Sequence, residues 1–354
     1  MILHNKPTIN QDEVNAATKV LKSGWIAQGK EVKKFEDELC KYLGFKSRHA
    51  VALSSGTAAL YVALISLGIK ENDEVIIPTY VCSALLNAIY LAGARPVLVD
   101  INPDNFNISF KETKKNITIK TKAIIVTHTF GMPADIEKFI KLGVPIIEDC
   151  AQAIGTKLNN RHLGTFGKVA IFSFYASKVL TTGYGGMVFS KDKNFIEKIK
   201  DYREFDCPKE YKPRFNFQMS DIQAAIGTVQ LKKLPLFLKK REKIANDYYK
   251  ILPLGKVWPP KSIKDKKPNF YRFLIQDDKP LKLKKFLEKR GIKTIVPIET
   301  HELLGRYLGQ DLHYFPVSEW VAKTTLSLPI YPSLTMQEAK KIKKHLKDYF
   351  NEKK

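Results

Sequence analysis

Cysteine is scarce in this 354-residue chain: Cys40, Cys82, Cys150 and Cys207 stand alone, with no two at CxxC spacing. That scatter argues against a disulfide framework and against a zinc site, and it fits a reducing, cytoplasmic setting. No apolar run reaches the 18 residues of a membrane span, and the N-terminus shows no apolar core ahead of a small-residue cleavage site. A Gly-x-Gly-x-x-Gly after an early strand is missing too, which removes the main sign of a nicotinamide-dependent dehydrogenase. Acidic residues are few, 36 against 59 lysines and arginines. There is nonetheless no zinc finger, helix-turn-helix or aromatic-interleaved basic patch, so the formal charge of +23 does not by itself point to nucleic acid.

What is present is globular in texture: 44% hydrophobic and 27% charged residues, over a length that suggests about two domains. The charge is uneven. Residues 231–354 hold 29 basic and 13 acidic residues, so most of the excess lies in the last third. Lysines such as Lys282, Lys284, Lys285 and Lys289 read as the solvated faces of amphipathic helices, although a charge of this size also draws anionic partners.

Short aliphatic runs alternate with helical patterns over the first two thirds. Glu74–Pro78, Pro96–Asp100, Ala123–Thr127, Pro145–Asp149 and Val169–Ser173 read as strands buried on both faces, with helices expected at Ala58–Leu67, Ser83–Ala92 and Ala134–Leu142. The repetition predicts an α/β domain of three layers, α/β/α, around a mostly parallel sheet. A long helix over Ser220–Ala245, punctuated by Pro235, leads to a change of texture at Leu252. From there a smaller α+β domain is expected: a strand at Tyr271–Ile275, a helix at Leu281–Arg290, a short strand after Gly291 and a terminal helix at Met336–Phe350. The predicted division is 1–250 for the large domain and 251–354 for the small one, and the lysine-rich stretch Lys261–Lys267 reads as a loop.

Three stretches carry chemistry. Ser54-Ser-Gly-Thr-Ala-Ala-Leu60 follows a strand and opens a helix, so the free amides near Gly56 and Thr57 either cradle a phosphate or form a tight cap. Glu148-Asp149-Cys-Ala-Gln152 ends a strand at the carboxyl edge of the sheet, where α/β proteins bind ligands; Asp149 either pairs with a cationic group or caps a helix. Phe172-Ser-Phe-Tyr-Ala-Ser-Lys178 places a lysine just after a core strand, ahead of a glycine-rich turn, where apolar surroundings favour the nucleophilic neutral amine. Lys178 is therefore a Schiff-base candidate, an ordinary loop lysine being the alternative.

Taken in order, these motifs together with Asn216-Phe-Gln-Met-Ser-Asp-Ile-Gln-Ala-Ala225 closely resemble the DegT/StrS-type nucleotide-sugar aminotransferases, which use pyridoxal 5'-phosphate (PLP, cycling with its pyridoxamine form, PMP) on the type I aspartate-aminotransferase fold. The likeness spans nearly the whole chain, from Gly24-Trp-Ile-Ala-Gln-Gly29 through Pro78-Thr-Tyr-Val-Cys-Ser-Ala84 and His128-Thr-Phe-Gly-Met-Pro-Ala-Asp135 to Leu326-Ser-Leu-Pro-Ile-Tyr331. The resemblance implies that Lys178 carries the cofactor as a Schiff base and moves the proton, and that Asp149 faces the protonated ring nitrogen. It further implies Gln152 near the ring hydroxyl, Tyr80 stacked on the ring, and the phosphate held by Gly56, Thr57 and Ser173, with Asn216 reaching it from the other subunit of a homodimer. It implies an amino group taken from glutamate and passed to a keto-sugar on a nucleotide diphosphate, for polysaccharide or glycan synthesis. Two positions depart from the family pattern: Tyr184 stands where Glu is frequent, and Gln218 where an Arg commonly follows the Asn by two. The lysine separates the chain from the branch of sugar dehydratases, which carry histidine there. A same-fold enzyme on a non-sugar substrate and a non-enzymatic binding protein remain the rival readings.

Overall fold

The computed structural model describes residues 1–206, 209–260 and 265–351. Its centre is a seven-stranded sheet formed by β1 (Ala50–Leu53), β2 (Glu74–Pro78), β3 (Arg95–Val99), β4 (Thr121–Thr127), β5 (Ile146–Asp149), β6 (Val169–Ser173) and β7 (Gly186–Phe189), in the order β1-β7-β6-β5-β4-β2-β3. Only β7 runs against its neighbours, pairing antiparallel with both β1 and β6, while the β2–β3, β2–β4, β4–β5 and β5–β6 pairs are parallel. Strands β1 to β6 therefore share one direction and bring their carboxyl ends to one edge of the sheet. That edge collects Gly56, Tyr80, His128, Asp149 and Ser173, which are far apart in sequence.

The aliphatic runs form strands because helices cover both faces. Val51, Ile76, Ile124, Ile147 and Val188 are fully buried, and alternation with polar residues has no place in such strands. The helix Gly56–Ser66 starts where the sequence offers a cap, the Ser55 hydroxyl accepting the Ala58 amide at 3.0 Å. The helix Asp221–Tyr249 opens with a capping box of Ser220 and Gln223. It runs through Pro235 without ending, one end against the large core and the other, from Ala245, against the small one.

A second core gathers Phe273, Ile275, Leu283, Leu287, Ile342 and Leu346 around the three-stranded sheet of Val257–Trp258, Phe273–Gln276 and Thr325–Leu328. Packing divides the chain less simply than one cut at residue 250. Ile2 lies in the small core, whereas Trp258, Leu274 and the segment from Leu303 to Ala322 pack on the large one. Asp100 anchors that segment by accepting from the Val317 and Ser318 amides, each at 2.9 Å. In place of a strand after Gly291 there are isolated bridges, Ile2 to Ile292 and Ile295 to Ser327, because both contacts are a single residue long. Lys266–Lys267 is a strand rather than loop, paired with Lys157–Leu158; residues 261–264 of that lysine-rich stretch, like Cys207, lie outside the described residues. Among the described residues no helix is long and apolar enough to cross a membrane.

Candidate active site

Two adjoining hollows open at the carboxyl edge. The larger, about 330 Å³, is lined by Gly56, Thr57, Cys82, Asp149, Ser173 and Lys178, among others. The smaller, about 30 Å³, is lined by Tyr80, Phe130, Asp149, Gln152 and Lys178. Cys82, Asp149 and Lys178 face both, so the lysine and the aspartate stand at the junction. A larger hollow of about 540 Å³ beside Tyr249 and Phe270 contains none of these groups.

One wall of the larger hollow is built from backbone. Gly56 and Thr57 are the first residues of their helix, so their amides have no intrahelical acceptor, and the Ser55 hydroxyl is already spent on Ala58. The fit is close: a Cβ on Gly56 would lie 2.9 Å from Ser173 Cβ. Gly186, starting β7, backs onto the same turn, and a Cβ there would meet the Ser55 carbonyl and, at 2.7 Å, the Gly56 amide nitrogen. Gly186→Ala is accordingly expected to cost about 1–3 kcal/mol of stability, read as a lower melting temperature, and to weaken anion binding at the turn.

Asp149 ends β5 with its Oδ1 accepting the Ala151 amide at 2.9 Å. Burial pushes its carboxyl above the ordinary carboxylate range, opposed by that amide and by Lys178 and His128 nearby. Lys178 follows β6, its amide bonded to the Tyr175 carbonyl at 2.9 Å, and its Nζ lies 5.5 Å from the centre of the Tyr271 ring. The N-terminal arm reaches the same loop, Asn5 Nδ2 donating to the Ser177 carbonyl at 2.6 Å.

Beneath Asp149 lies a buried bracket. Glu148 accepts from the amides of Gly164, Phe166 and Gly167, at 2.9, 2.6 and 2.6 Å, and from His128 Nε2 at 3.2 Å. His128 Nδ1 accepts the Ala134 amide at 3.1 Å, which leaves the ring proton on Nε2. Burial alone would raise the Glu148 carboxyl, but the hydrogen bonds from His128 and the amides hold it below its usual value. His128, Glu148 and Cys150 sit within ligand distance of one another. With four donors on the carboxylate and the Cys150 thiol pushed well up by burial, the cluster serves to hold β4 and β5 and the turn at 164–167 in place.

The sequence candidates fall as follows. Lys178, Asp149, Gly56, Thr57 and Ser173 meet at the larger hollow. Gln152 lies at the smaller one; its carboxamide oxygen takes the Phe130 amide at 2.7 Å, so its amino group is the end left to donate. Tyr80 is fully buried, edge-on to Phe130, and lines only the smaller hollow. The side chain that lines the larger one from the same loop is Cys82, which spacing alone did not single out. Asn216 is exposed and does not line the hollow of its own chain. Tyr184 lines it, 5.4 Å from Tyr175 between ring centres. Gln218 instead contacts Glu204 at 3.3 Å.

One hollow thus gathers a lysine amine, an aspartate, unspent helix-start amides and a serine hydroxyl. Residues 7–347 match the DegT/DnrJ/EryC1/StrS aminotransferase family, and the chain belongs to it. It is 37% identical over 362 aligned residues to an uncharacterized protein of Methanocaldococcus jannaschii, covering 93% of this chain and 92% of that one. It is 31% identical to GDP-perosamine synthase of Vibrio cholerae, covering 99% and 100%. The solved structure of the aminotransferase TlmJ from Streptoalloteichus hindustanus superposes with a TM-score of 0.92 at 28% identity, over 99% of each chain. The fold expected from the sequence, an α/β aminotransferase fold with a mostly parallel sheet, is the one observed.

Proposed function

We propose that this aminotransferase binds pyridoxal phosphate and moves an amino group from an amino acid, glutamate being the expected donor, to a keto-sugar carried on a nucleotide. The observation that carries the reading is that Lys178 and Asp149 line one hollow together with Ser173 and with Gly56 and Thr57, whose amides are free. The amides and hydroxyl suit a phosphate, Asp149 suits a protonated ring nitrogen, Gln152 is placed to donate to a ring oxygen, and Lys178 to hold the aldehyde carbon. When bound, the cofactor supplies an electron-accepting ring and a carbon that stores the amino group between the two substrates.

The protein's part is positional. Asp149, ionised, fixes the ring's protonated state. The helix-start amides would hold its phosphate and so limit how the ring can turn beside Lys178. Freed from the cofactor, the Lys178 amine would act as the base that takes the proton from the substrate carbon and delivers it to the carbon two atoms along, across the nitrogen, a role that a positioned base fills with an acceleration of about 10²–10⁴. Tyr271, buried in the large core, helps to exclude water near that amine, its ring centre 5.5 Å from Nζ. GDP-perosamine synthase among the relatives supports a nucleotide-linked sugar as acceptor. Cys40, Cys82 and Cys150 are free thiols, as a reducing compartment would keep them.

Two experiments test the reading. The purified protein should bind pyridoxal phosphate with a visible absorbance band that L-glutamate bleaches; a band indifferent to every amino acid would refute the donor half. The exposed Asn216 supports a homodimer in which each subunit completes the other's phosphate site. If so, mixing inactive Lys178→Ala with an Asn216→Ala variant restores about a quarter of the wild-type activity at equal, random exchange of subunits, because one site of each mixed dimer is intact. Strictly additive activities would show that the site belongs to a single chain.

A further inference from the structure

Asn269 ties the turn that bears Gln152 to a segment more than a hundred residues further along the chain. It precedes the strand Phe273–Gln276 and is 3% exposed. Its Nδ2 donates to the carbonyls of Gln152 and Ile154, at 2.9 and 3.0 Å, and its Oδ1 accepts the Tyr271 amide at 2.9 Å. Both hydrogens of the amino group are thereby spent. The carboxamide has no second way round: turned over, its oxygen would face two carbonyls and its amino group an N–H. Tyr271 is itself buried in the large core, so the anchor of this clamp is fixed.

A second turn is locked into the same place. Phe130 and Gly131 both have left-handed backbone, with φ of 56° and 85°, a conformation that a residue with a large side chain holds only where its surroundings impose it. The Phe130 amide donates to the Gln152 side-chain oxygen at 2.7 Å, and the Gly131 carbonyl accepts the Thr156 hydroxyl at 3.1 Å and the Asn269 amide at 3.4 Å. Glycine is needed at 131 for room as well as for φ, because a Cβ there would overlap the Asn269 carboxamide oxygen. Gln152 is thus gripped at both ends, its backbone carbonyl by Asn269 and its side-chain oxygen by Phe130, and its amino group is left with one direction to point. Gln152 lines the smaller hollow with Asp149 and Lys178, whereas Asn269 lines neither hollow of the site. Whatever Asn269 does for the chemistry passes through the residues it holds.

Resting on the reading above that Gln152 donates to the ring oxygen of pyridoxal phosphate, we infer that Asn269 is a positioning residue: it fixes the turn that bears Gln152 and so keeps that donor on the ring. A hydrogen bond given to the ring oxygen favours its ionised form and draws off charge that would otherwise hold the proton on the neighbouring lysine-bound nitrogen. The pH at which the visible band of the bound cofactor titrates therefore reports whether Gln152 is in place.

The test titrates that band against pH in the cofactor-loaded protein and follows amide hydrogen exchange in the cofactor-free protein by mass spectrometry. Gln152→Ala should raise the titration point by about half to one pH unit, the worth of one hydrogen bond. Asn269→Ala should raise it by a similar amount, and the double variant should go little further than Gln152→Ala alone, because both changes act through one donor. Asn269→Ser, which retains a hydroxyl but cannot span both carbonyls, should shift it less in the same direction and guards against misfolding of the alanine variant. Leu346→Ala, a truncation in the small core, should lower the melting temperature and leave the titration point where wild type has it. Without cofactor, Asn269→Ala should speed exchange at residues 128–132 and 150–156. Asn269 variants that leave the titration point unmoved while Gln152→Ala raises it, or a double variant whose shifts add, overturn the inference. If exchange at the two turns quickens but no band forms, or Gln152→Ala leaves the band unmoved, Asn269 still holds the turns and it is the cofactor reading that falls.

Discussion

Replacing Lys178 by alanine is expected to reduce amino transfer by 10⁴-fold or more, since one change removes both the covalent hold on the cofactor and the base that moves the substrate proton. The protein should remain folded. The Lys178 side chain is only half-buried and makes no ion pair among the described residues, so truncation should shift stability by no more than about 0.5 kcal/mol. Cofactor should still bind, because the Gly56 and Thr57 amides and Ser173 are untouched, but borohydride should no longer fix it to the chain. Retention of even a tenth of wild-type activity in this variant would remove Lys178 from the chemistry.

Asp149→Asn is the second large effect, and it separates function from stability. Burial raises the Asp149 carboxyl above its usual range, which means that the fold disfavours the ionised form. The unfolded chain releases this proton near pH 3.8, the folded chain only at a higher pH. The contribution to stability therefore falls as pH rises between those two values and stays low above the folded one. At neutral pH the cofactor-free protein carries that cost, and a protonated ring nitrogen offsets it. Asparagine abolishes the cost while its Oδ1 keeps the Ala151 amide. Cofactor-free Asp149→Asn should thus melt above wild type at pH 7, with the gap closing toward pH 4, while kcat falls by about 10²-fold or more because the charge facing the ring is gone. A variant that melts lower at pH 7 and keeps its rate would contradict this account of Asp149.

Much of the site could be read from the sequence because its parts lie beside signals of a general kind. Strands covered on both faces must be aliphatic throughout, so β2, β4, β5 and β6 announce themselves, and with them the turns that carry Tyr80, Asp149 and Lys178. A serine before Gly56 marks a helix start, and a helix start marks free amides. Other features depend on contacts between distant segments and leave no local trace. Tyr271 comes near Lys178 only because a segment far along the chain folds back onto the large core. Leu303 to Ala322 looks like part of the small domain but lies on the large core, since Asp100 and Thr79 bond its backbone. Which side chain of the loop 79–83 faces the hollow was settled by the turn itself, which buries Tyr80 completely and exposes Cys82. Ile2 shows the same limit: nothing in its neighbours tells that it belongs to a core built from residues between Ala245 and Tyr349.

The central claim is that nitrogen passes from an amino acid through the Lys178 site to a sugar on a nucleotide. The most direct measurement supplies L-glutamate labelled with nitrogen-15 and a panel of nucleotide-linked keto-sugars to the cofactor-loaded protein, and follows the label by mass spectrometry. The account predicts a nucleotide-sugar product heavier by the labelled amino group, formed by wild type and absent with Lys178→Ala. Label that stays entirely in the amino-acid pool, while glutamate still bleaches the cofactor band, would contradict a sugar acceptor and direct attention to a non-sugar keto substrate.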